Sequence, residues 1–498
     1  MKESNENRLT TEAQHVKTDP PYEGLTDQTL LKQVLQRDPV AVKQCIQWYA
    51  DNPLFGGTEE WVMEDNPYRR PIRSHVLKYL DFTKPLARNE ILNYTALSAH
   101  RMLLNIYESD LVFFPEKDFE SKRKDFLLFY SDETKILGEL VRPVLEEHVF
   151  GFLDQEVEVS GKWSAASLRS FLESITDEHN KSESPSIAAV LSSPAREQSA
   201  SALLIQFAMD FLSEASAMAR NAAGKYGPML SELFKIILDE YGYGVHQTKH
   251  STLFERTLES CGLLAQPHAY AQFYLASSMG LSNYFHYISK NHTKFFRFLG
   301  ALAYTEATFS HTCKQISEML RKTFGPEVDT HYFDEHVHID LHHGRMVFEN
   351  LVMPALARFG EGIIEEIVRG IEEFRLLTEI ADKDFIEQID WCNKGLDYKE
   401  LAHPLYENIL SGKVECNKGT YIEPLNELSV THVHDADELC MIESGTMDFV
   451  TGHNFVVPLH PGEGTVLLHN RLHGAIITSK EDCVYHIYTI DDYKKCLL

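Results

Sequence analysis

One short stretch of the sequence, His-Tyr-Phe-Asp-Glu-His-Val-His-Ile-Asp-Leu-His-His-Gly-Arg, holds five histidines and three acidic residues close together. On a helix, His336, Asp340 and His343 fall on one side of this stretch. His338 and His342 fall on the opposite side. A buried face with two imidazoles and a carboxylate is costly unless a cation lies between them. The stretch therefore predicts a transition-metal site, and the alternative is a solvated polar helix.

Acidic side chains also interrupt apolar helical segments upstream of this stretch. Glu306 lies in Ala-Leu-Ala-Tyr-Thr-Glu-Ala-Thr-Phe, and Glu214 lies in Phe-Leu-Ser-Glu-Ala-Ser-Ala-Met-Ala. Glu240 ends a third such segment, and His250 follows after a glycine-containing break. A carboxylate on an apolar helix face normally needs a cation or a hydrogen-bonded partner, although any single glutamate can reach solvent. Taken with the histidine-rich helix, these residues make a mixed nitrogen and oxygen set that suits two irons, or manganese.

A second group of histidines lies near the C-terminus, in the pattern His-x-His-x3-Glu-x6-Gly that begins at His432. Alternate residues of a strand point to the same face, so His432 and His434 can both point inward. His473, from a later predicted strand, can complete a set of three histidines. Neutral imidazoles with open positions opposite them suit Fe(II) and O2 chemistry. We place Glu438 outside this set of ligands.

The elements that must position the first group are long helices. Apolar periodicity predicts an all-helical bundle over 202–223, 229–241, 252–263, 269–287, 295–320, 332–359 and 362–380, preceded by a helix over 133–153. Residues 177–201 are rich in serine and predict a loop. Further helices are predicted over 27–36, 39–50 and 86–111, where no catalytic constellation is visible.

The second group requires strands. Short Val-, Ile- and Leu-rich runs separated by Gly, Asn and Pro are typical of a small β-barrel or sandwich, and they occur at 438–442, 447–450, 454–459, 464–468, 474–477 and 484–489. The predicted fold class is therefore multidomain α + β. We predict a helical N-terminal or dimerisation domain at 1–130, an all-α domain at 131–390 and a β-barrel domain at 391–498.

Composition limits the classes of function. The chain has 498 residues and a formal net charge of −27, which disfavours nucleic acid and anionic membrane surfaces as partners. Its eight cysteines form no Cys-x-x-Cys pair, which argues against a zinc ribbon, an iron–sulfur cluster or a disulfide framework. We see neither a secretory signal nor an apolar run long enough to cross a bilayer, so a cytoplasmic location is expected.

The first group of residues resembles the site of the haem-oxygenase-like di-iron oxidases and oxygenases, which have the helical fold of haem oxygenase but carry two irons instead of haem. The resemblance covers the helical domain, and all seven ligand positions carry ligand-type side chains. The di-iron ligands that it implies are Glu214, Glu240, His250, Glu306, His336, Asp340 and His343. The seventh ligand, Glu240, is implied by members that N-oxygenate amines or guanidines.

The second group looks like the site of a cupin, a small β-barrel. This resemblance implies a mononuclear iron held by His432, His434 and His473. Many cupins are metal-free and bind a sugar or an effector, which is the alternative for this domain.

The order of the three domains resembles the nitrosourea synthase family over nearly the whole chain. The resemblance implies an O2-dependent non-haem iron oxygenase with two Fe(II) ions in the helical domain and one in the cupin. The di-iron site would hydroxylate two guanidine nitrogens of Nω-methyl-L-arginine or a close analogue. The cupin iron would rearrange that product to an N-nitrosourea. O2 is then a co-substrate, an external reductant is required, and no catalytic residue is predicted beyond the metal ligands.

Two other functions stay open from the sequence. The di-iron domain could oxygenate a different amine or guanidine to an N-hydroxy or nitro product, with an idle or altered cupin. A metal-regulated sensor or scaffold is a different class, but it leaves the seven ligand-type positions unexplained. The expected partners are a small guanidine or amino-acid substrate, an electron donor and a second copy of the chain in a homodimer.

Overall fold

The structure, a computed structural model, describes residues 28–497, so the start of the predicted N-terminal domain lies outside the described residues. The described chain is helical up to residue 410 and forms strands between residues 417 and 490. The α-helices are α1 (Gln28–Leu35), α2 (Pro39–Ala50), α3 (Ser74–Leu77), α4 (Tyr94–Glu108), α5 (Phe119–Phe129), α6 (Asp132–Phe150), α7 (Leu153–Glu156), α8 (Ala165–His179), α9 (Pro185–Ser192), α10 (Arg196–Phe211), α11 (Ser216–Ala219), α12 (Pro228–Glu240), α13 (His250–Ser260), α14 (Ala276–Lys290), α15 (Phe295–Phe324), α16 (His331–Met346), α17 (Met353–Phe359), α18 (Ile364–Asn393), α19 (Gly395–Leu410) and α20 (Tyr493–Cys496).

Short helical turns connect several of these helices. One of them is a π-helical turn, Val347–Val352, which continues α16 into α17. The 3-10 turns are Pro53–Phe55, Arg220–Ala222, Gly242–Gly244, His246–Thr248, Ala271–Phe273, His292–Lys294 and Glu361–Ile363.

The centre of the bundle is built on close contact between α15 and α18, each 30 residues long. A Cβ atom added at Gly300 of α15 would lie 1.9 Å from the Ile367 carbonyl oxygen, and one added at Gly370 of α18 would lie 2.1 Å from the Arg297 carbonyl oxygen. Side chains at these two positions would push the helices apart. The glycines therefore fix the distance at which α15 presents its residues to the rest of the bundle.

The prediction of a loop over residues 177–201 is wrong, because this segment contains α9 and the start of α10. The serine and proline that suggested a loop are helix-start residues. Ser184 is the N-cap of α9, where its side chain accepts a hydrogen bond from the Ile187 backbone, and Pro185 follows at the first helical position. Ile187 and Val190 are buried and hold α9 against the bundle.

The predicted continuous helix over 202–223 is also interrupted. α10 ends at Phe211, and Ala215 has φ 62° before the chain re-enters helix at Ser216. A left-handed backbone at a non-glycine residue costs energy and is often found at functional sites. The interruption places Glu214 in a turn.

The β-strands form two four-stranded antiparallel sheets. The strands are β1 (Asn417–Glu423), β2 (Leu428–His432), β3 (Asp437–Ser444), β4 (Met447–Gly452), β5 (Phe455–Leu459), β6 (Gly464–Leu467), β7 (His473–Ile477) and β8 (Cys483–Ile490). Their orders are β1-β8-β3-β6 and β2-β7-β4-β5, an arrangement consistent with a cupin-like domain. The six predicted strands are confirmed. Sequence patterning missed β1, whose residues are mostly exposed, and β2.

Buried hydrogen bonds join the β-domain to the helices. The guanidinium of Arg101 on α4 donates to the carbonyl oxygen and to the hydroxyl of Thr431, each at 2.7 Å. The side chain of Gln388 on α18 donates to the Leu472 carbonyl at 2.9 Å and accepts from the Leu472 backbone N–H at 2.8 Å. Thr431 and Leu472 directly precede His432 and His473, so the helical part of the chain fixes both histidine-bearing strands.

One described segment, Arg196–Ala222, is long and apolar enough to cross a membrane by length and composition alone. The core helices of soluble proteins pass the same test, so this is weak evidence for a membrane span. In the structure, Leu204 and Ile205 of this segment are completely buried in an apolar core.

Candidate metal centres and active site

Helix α16 has a buried face and an exposed face, and its histidines are divided between them as the sequence predicts. His336, Asp340 and His343 are buried, whereas His338 and His342 are exposed. The alternative of a fully solvated polar helix is therefore wrong. The buried face of α16 points into the bundle, where it meets carboxylates from three other parts of the chain.

The first of two groups surrounds His336. Its Nε2 atom lies 3.3 Å from Glu214 Oε1, 3.9 Å from Glu240 Oε2 and 3.1 Å from His250 Nδ1. Glu240 Oε2 lies 2.6 Å from His250 Nδ1. Four candidate ligand atoms, one from each residue, lie within 4.8 Å of one another, a spacing that could hold one metal ion.

The second group surrounds His343. Its Nδ1 atom lies 3.3 Å from Glu240 Oε1, 3.3 Å from Glu306 Oε2 and 3.8 Å from Asp340 Oδ1. Glu240 thus presents one carboxylate oxygen to each group. A carboxylate shared in this way is the arrangement that a pair of metal ions requires. We call the seven residues of the two groups the helical cluster: Glu214, Glu240, His250, Glu306, His336, Asp340 and His343.

The turn that follows α12 brings Glu240 and His250 together. Gly242, Tyr243 and Gly244 all have positive φ, at 57°, 54° and 80°. A Cβ atom added at Gly242 would lie 2.5 Å from the Lys249 backbone nitrogen, so only glycine fits this tight reversal. The turn therefore folds the following segment back, so that His250 lies beside Glu240 at the end of α12.

Several polar atoms of the helical cluster have no hydrogen bond. Glu214 Oε2, Asp340 Oδ2 and His343 Nδ1 are buried and have no hydrogen-bond partner among the described residues. Burying an unsatisfied carboxylate oxygen costs several kcal/mol. Metal ions coordinated by these atoms would remove that cost, so the residues fit the iron pair that the sequence predicted.

The pKa values in the helical cluster show how strongly it attracts positive charge. Burial acts to lower the pKa of His336, but the carboxylates of Glu214, Asp340 and Glu240 raise it to about 10. Burial likewise opposes protonation of His343, yet neighbouring carboxylates raise its pKa to about 12. Burial raises the pKa of Asp340 well above its ordinary value. Without metal, the cluster compensates its carboxylates with protons.

Two neighbours that the sequence analysis missed orient the ligand-type side chains. The Tyr332 hydroxyl donates a hydrogen bond to Glu214 Oε1 at 2.7 Å, and Asp239 Oδ2 lies 3.1 Å from His343 Nε2. Tyr332 precedes His336 by four residues, so helical spacing could have revealed it. Asp239 stands beside Glu240 in the sequence, but only the packing of α12 on α16 brings it to His343.

The second site lies in the β-domain, where His432, His434 and His473 converge. Their ring centroids are 4.6 to 4.9 Å apart. The prediction that His432 and His434 both lie on a strand is wrong, because β2 ends at His432. The loop after β2 nevertheless returns His434 to the same place. We call these three residues the histidine triad of the barrel.

The three histidines of the triad are neutral, and hydrogen bonds fix the ring tautomers of two of them. Nδ1 of His432 lies 2.9 Å from the Val430 carbonyl and Nδ1 of His473 lies 2.9 Å from the Arg471 carbonyl. These contacts place the proton on Nδ1 and leave Nε2 free to bind a metal. Burial, followed by nearby positive charge, lowers the pKa values of His432 and His434 well below the ordinary value, and burial lowers that of His473 to about 4.

Glu438 stands beside the triad. Its Oε2 lies 3.3 Å from His434 Nδ1, and its Oε1 accepts a hydrogen bond from Thr489 at 3.1 Å. Burial raises its pKa to about 7, so the carboxyl is only partly ionised at neutral pH. Its exclusion from the ligand set stays a prediction.

The two sites should release different numbers of protons when Fe(II) binds. Metal must displace the protons held at His336 and His343, so affinity at the helical cluster should rise with pH. The triad is already deprotonated at neutral pH, and it should lose affinity only as the pH falls towards the pKa of His473, about 4.

Anaerobic calorimetry at pH 7 in buffers of different ionisation enthalpy measures this proton release. We expect about one proton or more from His434→Ala, whose helical cluster is intact, and about none from His336→Ala. Equal release from both variants would contradict this difference.

The approach of α16 to α15 provides a test of the cluster's geometry. A Cβ atom added at Gly344, next to His343, would lie 2.9 Å from the Glu306 carbonyl oxygen and 3.1 Å from Ala307 Cα. Gly344→Ala should separate the two helices, lower stability by about 1–3 kcal/mol and reduce the iron content. Gly362→Ala is the matched control, because an added Cβ there meets nothing within 4 Å. Thermal unfolding and iron analysis of both variants check this, and equal iron content would contradict it.

A cavity of about 560 Å³ opens beside the helical cluster. Glu214, Glu240, Glu306, His336 and Asp340 of the cluster line one part of it. Aromatic side chains line much of the remainder, among them Phe207, Phe211, Phe285, Phe309 and Phe374. The cavity is large enough for an amino-acid-sized molecule and reaches the cluster directly.

The helical bundle, the helical cluster and this cavity together define an iron-containing redox enzyme of the haem-oxygenase-like class. The family described as "Iron-containing redox enzyme" matches residues 201–378, the range that contains all seven cluster residues. The chain is also 52% identical over 456 residues to nitrosourea synthase from Streptomyces achromogenes subsp. streptozoticus, covering 92% of this chain and 97% of that relative. The chain therefore belongs to the nitrosourea synthase family, and it is a non-haem iron oxygenase.

Proposed function

We propose that this oxygenase hydroxylates two guanidine nitrogens of Nω-methyl-L-arginine, or a close analogue, at the helical cluster. The dihydroxylated product is then oxidatively rearranged to an N-nitrosourea at the histidine triad, where a further O2 is the four-electron oxidant that gives one oxygen atom to the product and one to water. The observation that carries the proposal is the presence, in one chain of this family, of two ligand groups with opposite electrostatic character. One group is rich in carboxylates and attracts protons, and the other consists of neutral imidazoles.

In the helical cluster, the protein's own residues supply the charge and the geometry. Glu214, His250 and His336 would hold one ion and Glu306, Asp340 and His343 the other, with Glu240 contacting both groups. Two Fe(II) ions bound there would supply electrons to O2, and an external reductant would restore them. Tyr332 and Asp239 hold Glu214 and His343 in place through hydrogen bonds. The aromatic side chains of the cavity would give the reacting nitrogen apolar surroundings on those sides.

In the barrel, the triad offers three imidazole nitrogens on one side of a single metal position. An Fe(II) ion held this way would keep positions open for a hydroxylated guanidine and O2. The Val430 and Arg471 carbonyls fix the tautomers of His432 and His473, so these side chains need no reorganisation before a metal binds. Glu438, whose pKa lies near neutrality, can hold or release a proton beside His434.

The proposal is tested by reconstitution and mass spectrometry. The apo-protein loaded anaerobically should take up about three Fe(II) ions per chain, two at the cluster and one at the triad. With Nω-methyl-L-arginine, O2 and a reductant, the substrate should gain one oxygen, then a second, and then appear as an N-nitroso product. An N-hydroxy or nitro end product would point to an oxygenase with an inactive barrel. Uptake of no iron would overturn both proposed sites.

A further inference from the structure

The cavity beside the helical cluster is strongly acidic. Nine carboxylate residues line it, against a single arginine, Arg375, and no lysine. Arg375 is already paired with Glu372, whose two carboxylate oxygens lie 3.0 and 3.1 Å from its Nη1. The field inside the cavity therefore favours a cationic molecule.

Five of the nine carboxylates lie outside the predicted metal ligands, and four of these five are accounted for by their surroundings. Glu178, Glu183 and Glu379 are exposed, so water solvates them. Asp382 accepts a hydrogen bond from the Ser186 hydroxyl. The fifth carboxylate is Asp210.

Asp210 lies on the last turn of α10, four residues before Glu214. Its side chain is partly buried and lines the cavity, and no hydrogen bond or ion pair joins its carboxylate to another described side chain. Burial, followed by repulsion from Glu214, raises its pKa to about 7. A partly buried carboxylate that faces a cavity and has no cationic partner in the protein favours a ligand that supplies the positive charge.

We propose that Asp210 receives the guanidinium of the substrate and holds it beside the helical cluster. A guanidinium presents parallel N–H donors that match the two oxygens of one carboxylate, a geometry that an ammonium ion lacks. Because Asp210 lies four residues before Glu214 and both line the same cavity, a guanidinium paired with Asp210 lies near the metal-binding carboxylates. Asp210 is then a binding residue that selects a cation and orients its nitrogens. This inference rests on the proposed function, because it takes a guanidine as substrate.

The test compares Asp210→Asn with Asp382→Asn, which changes a second carboxylate of the same cavity that already has a partner. Each iron-loaded protein is titrated anaerobically by calorimetry with Nω-methyl-L-arginine and with Nω-methyl-L-citrulline, its neutral urea analogue. We expect Asp210→Asn to weaken binding of the guanidinium ligand by about 10- to 100-fold. Binding of the urea analogue should change less than about threefold, and Asp382→Asn should change neither.

Iron content and thermal unfolding separate binding from folding. Asp210→Asn should keep the iron content of the wild type, and its melting temperature should be equal or higher, since a partly buried carboxylate without a partner in the protein is removed. If Asp210→Asn binds both ligands as the wild type does, while the wild type oxidises Nω-methyl-L-arginine, the anchor is wrong and the proposed function stands. If the wild type neither binds nor oxidises Nω-methyl-L-arginine, both are overturned.

Discussion

The His336→Ala variant is expected to lose N-hydroxylation of Nω-methyl-L-arginine by at least about 100-fold and to bind about one Fe(II) ion per chain instead of three. His336 is buried at the meeting point of Glu214, Glu240 and His250, with its Nε2 within 3.9 Å of all three. Alanine removes the central nitrogen ligand. It also removes the imidazole whose proton compensates Glu214 and Glu240 in the absence of metal.

The matched control is His338→Ala, two residues further along α16. His338 is exposed and points away from the cluster, so its loss should leave iron content and hydroxylation unchanged. Mass spectrometry of the hydroxylated products and iron analysis of the three proteins provide the measurement. Normal iron content and normal hydroxylation in His336→Ala would show that the helical cluster is not the hydroxylation site.

The His434→Ala variant should separate the two halves of the proposed reaction. The ring of His434 lies 4.9 Å from the rings of both His432 and His473, and its removal leaves two nitrogen ligands for a single metal. We expect the rate of N-nitroso product formation to fall at least about 100-fold. The dihydroxylated guanidine should accumulate, because the helical cluster is untouched.

His460→Ala is the control for this variant, since His460 is an exposed histidine of the same domain outside the triad. Time courses followed by mass spectrometry distinguish the two products. If His434→Ala still forms the N-nitrosourea at the wild-type rate, the rearrangement takes place elsewhere and the barrel needs another function. When the dihydroxylated compound is supplied as substrate, the His336→Ala variant should form the N-nitroso product, because its triad is intact.

The sequence by itself determined those features of the sites that depend on local spacing. Helical periodicity placed His336, Asp340 and His343 on one face of α16, and the structure buries that face and exposes His338 and His342. Carboxylates in apolar segments marked the other positions, because charge in a buried helix face needs a partner. Short runs rich in Val, Ile and Leu, separated by turn residues, predicted the six strands β3 to β8.

Only the tertiary structure determined the contacts between site residues that lie far apart in the sequence. Glu240 contacts His250 with one carboxylate oxygen and His343 with the other. The first contact exists because the turn at Gly242 folds His250 back, and the second because α12 lies near α16. Asp239 lies beside His343, about a hundred residues further along the chain, and Asp210 faces a cavity formed by several helices. No local sequence pattern encodes either position. The serine-rich segment was misassigned because serine and proline favour both loops and helix starts, and only the burial of Ile187 and Val190 distinguishes them. Spacing along one element is local, whereas the pairing of charges across elements is fixed by packing.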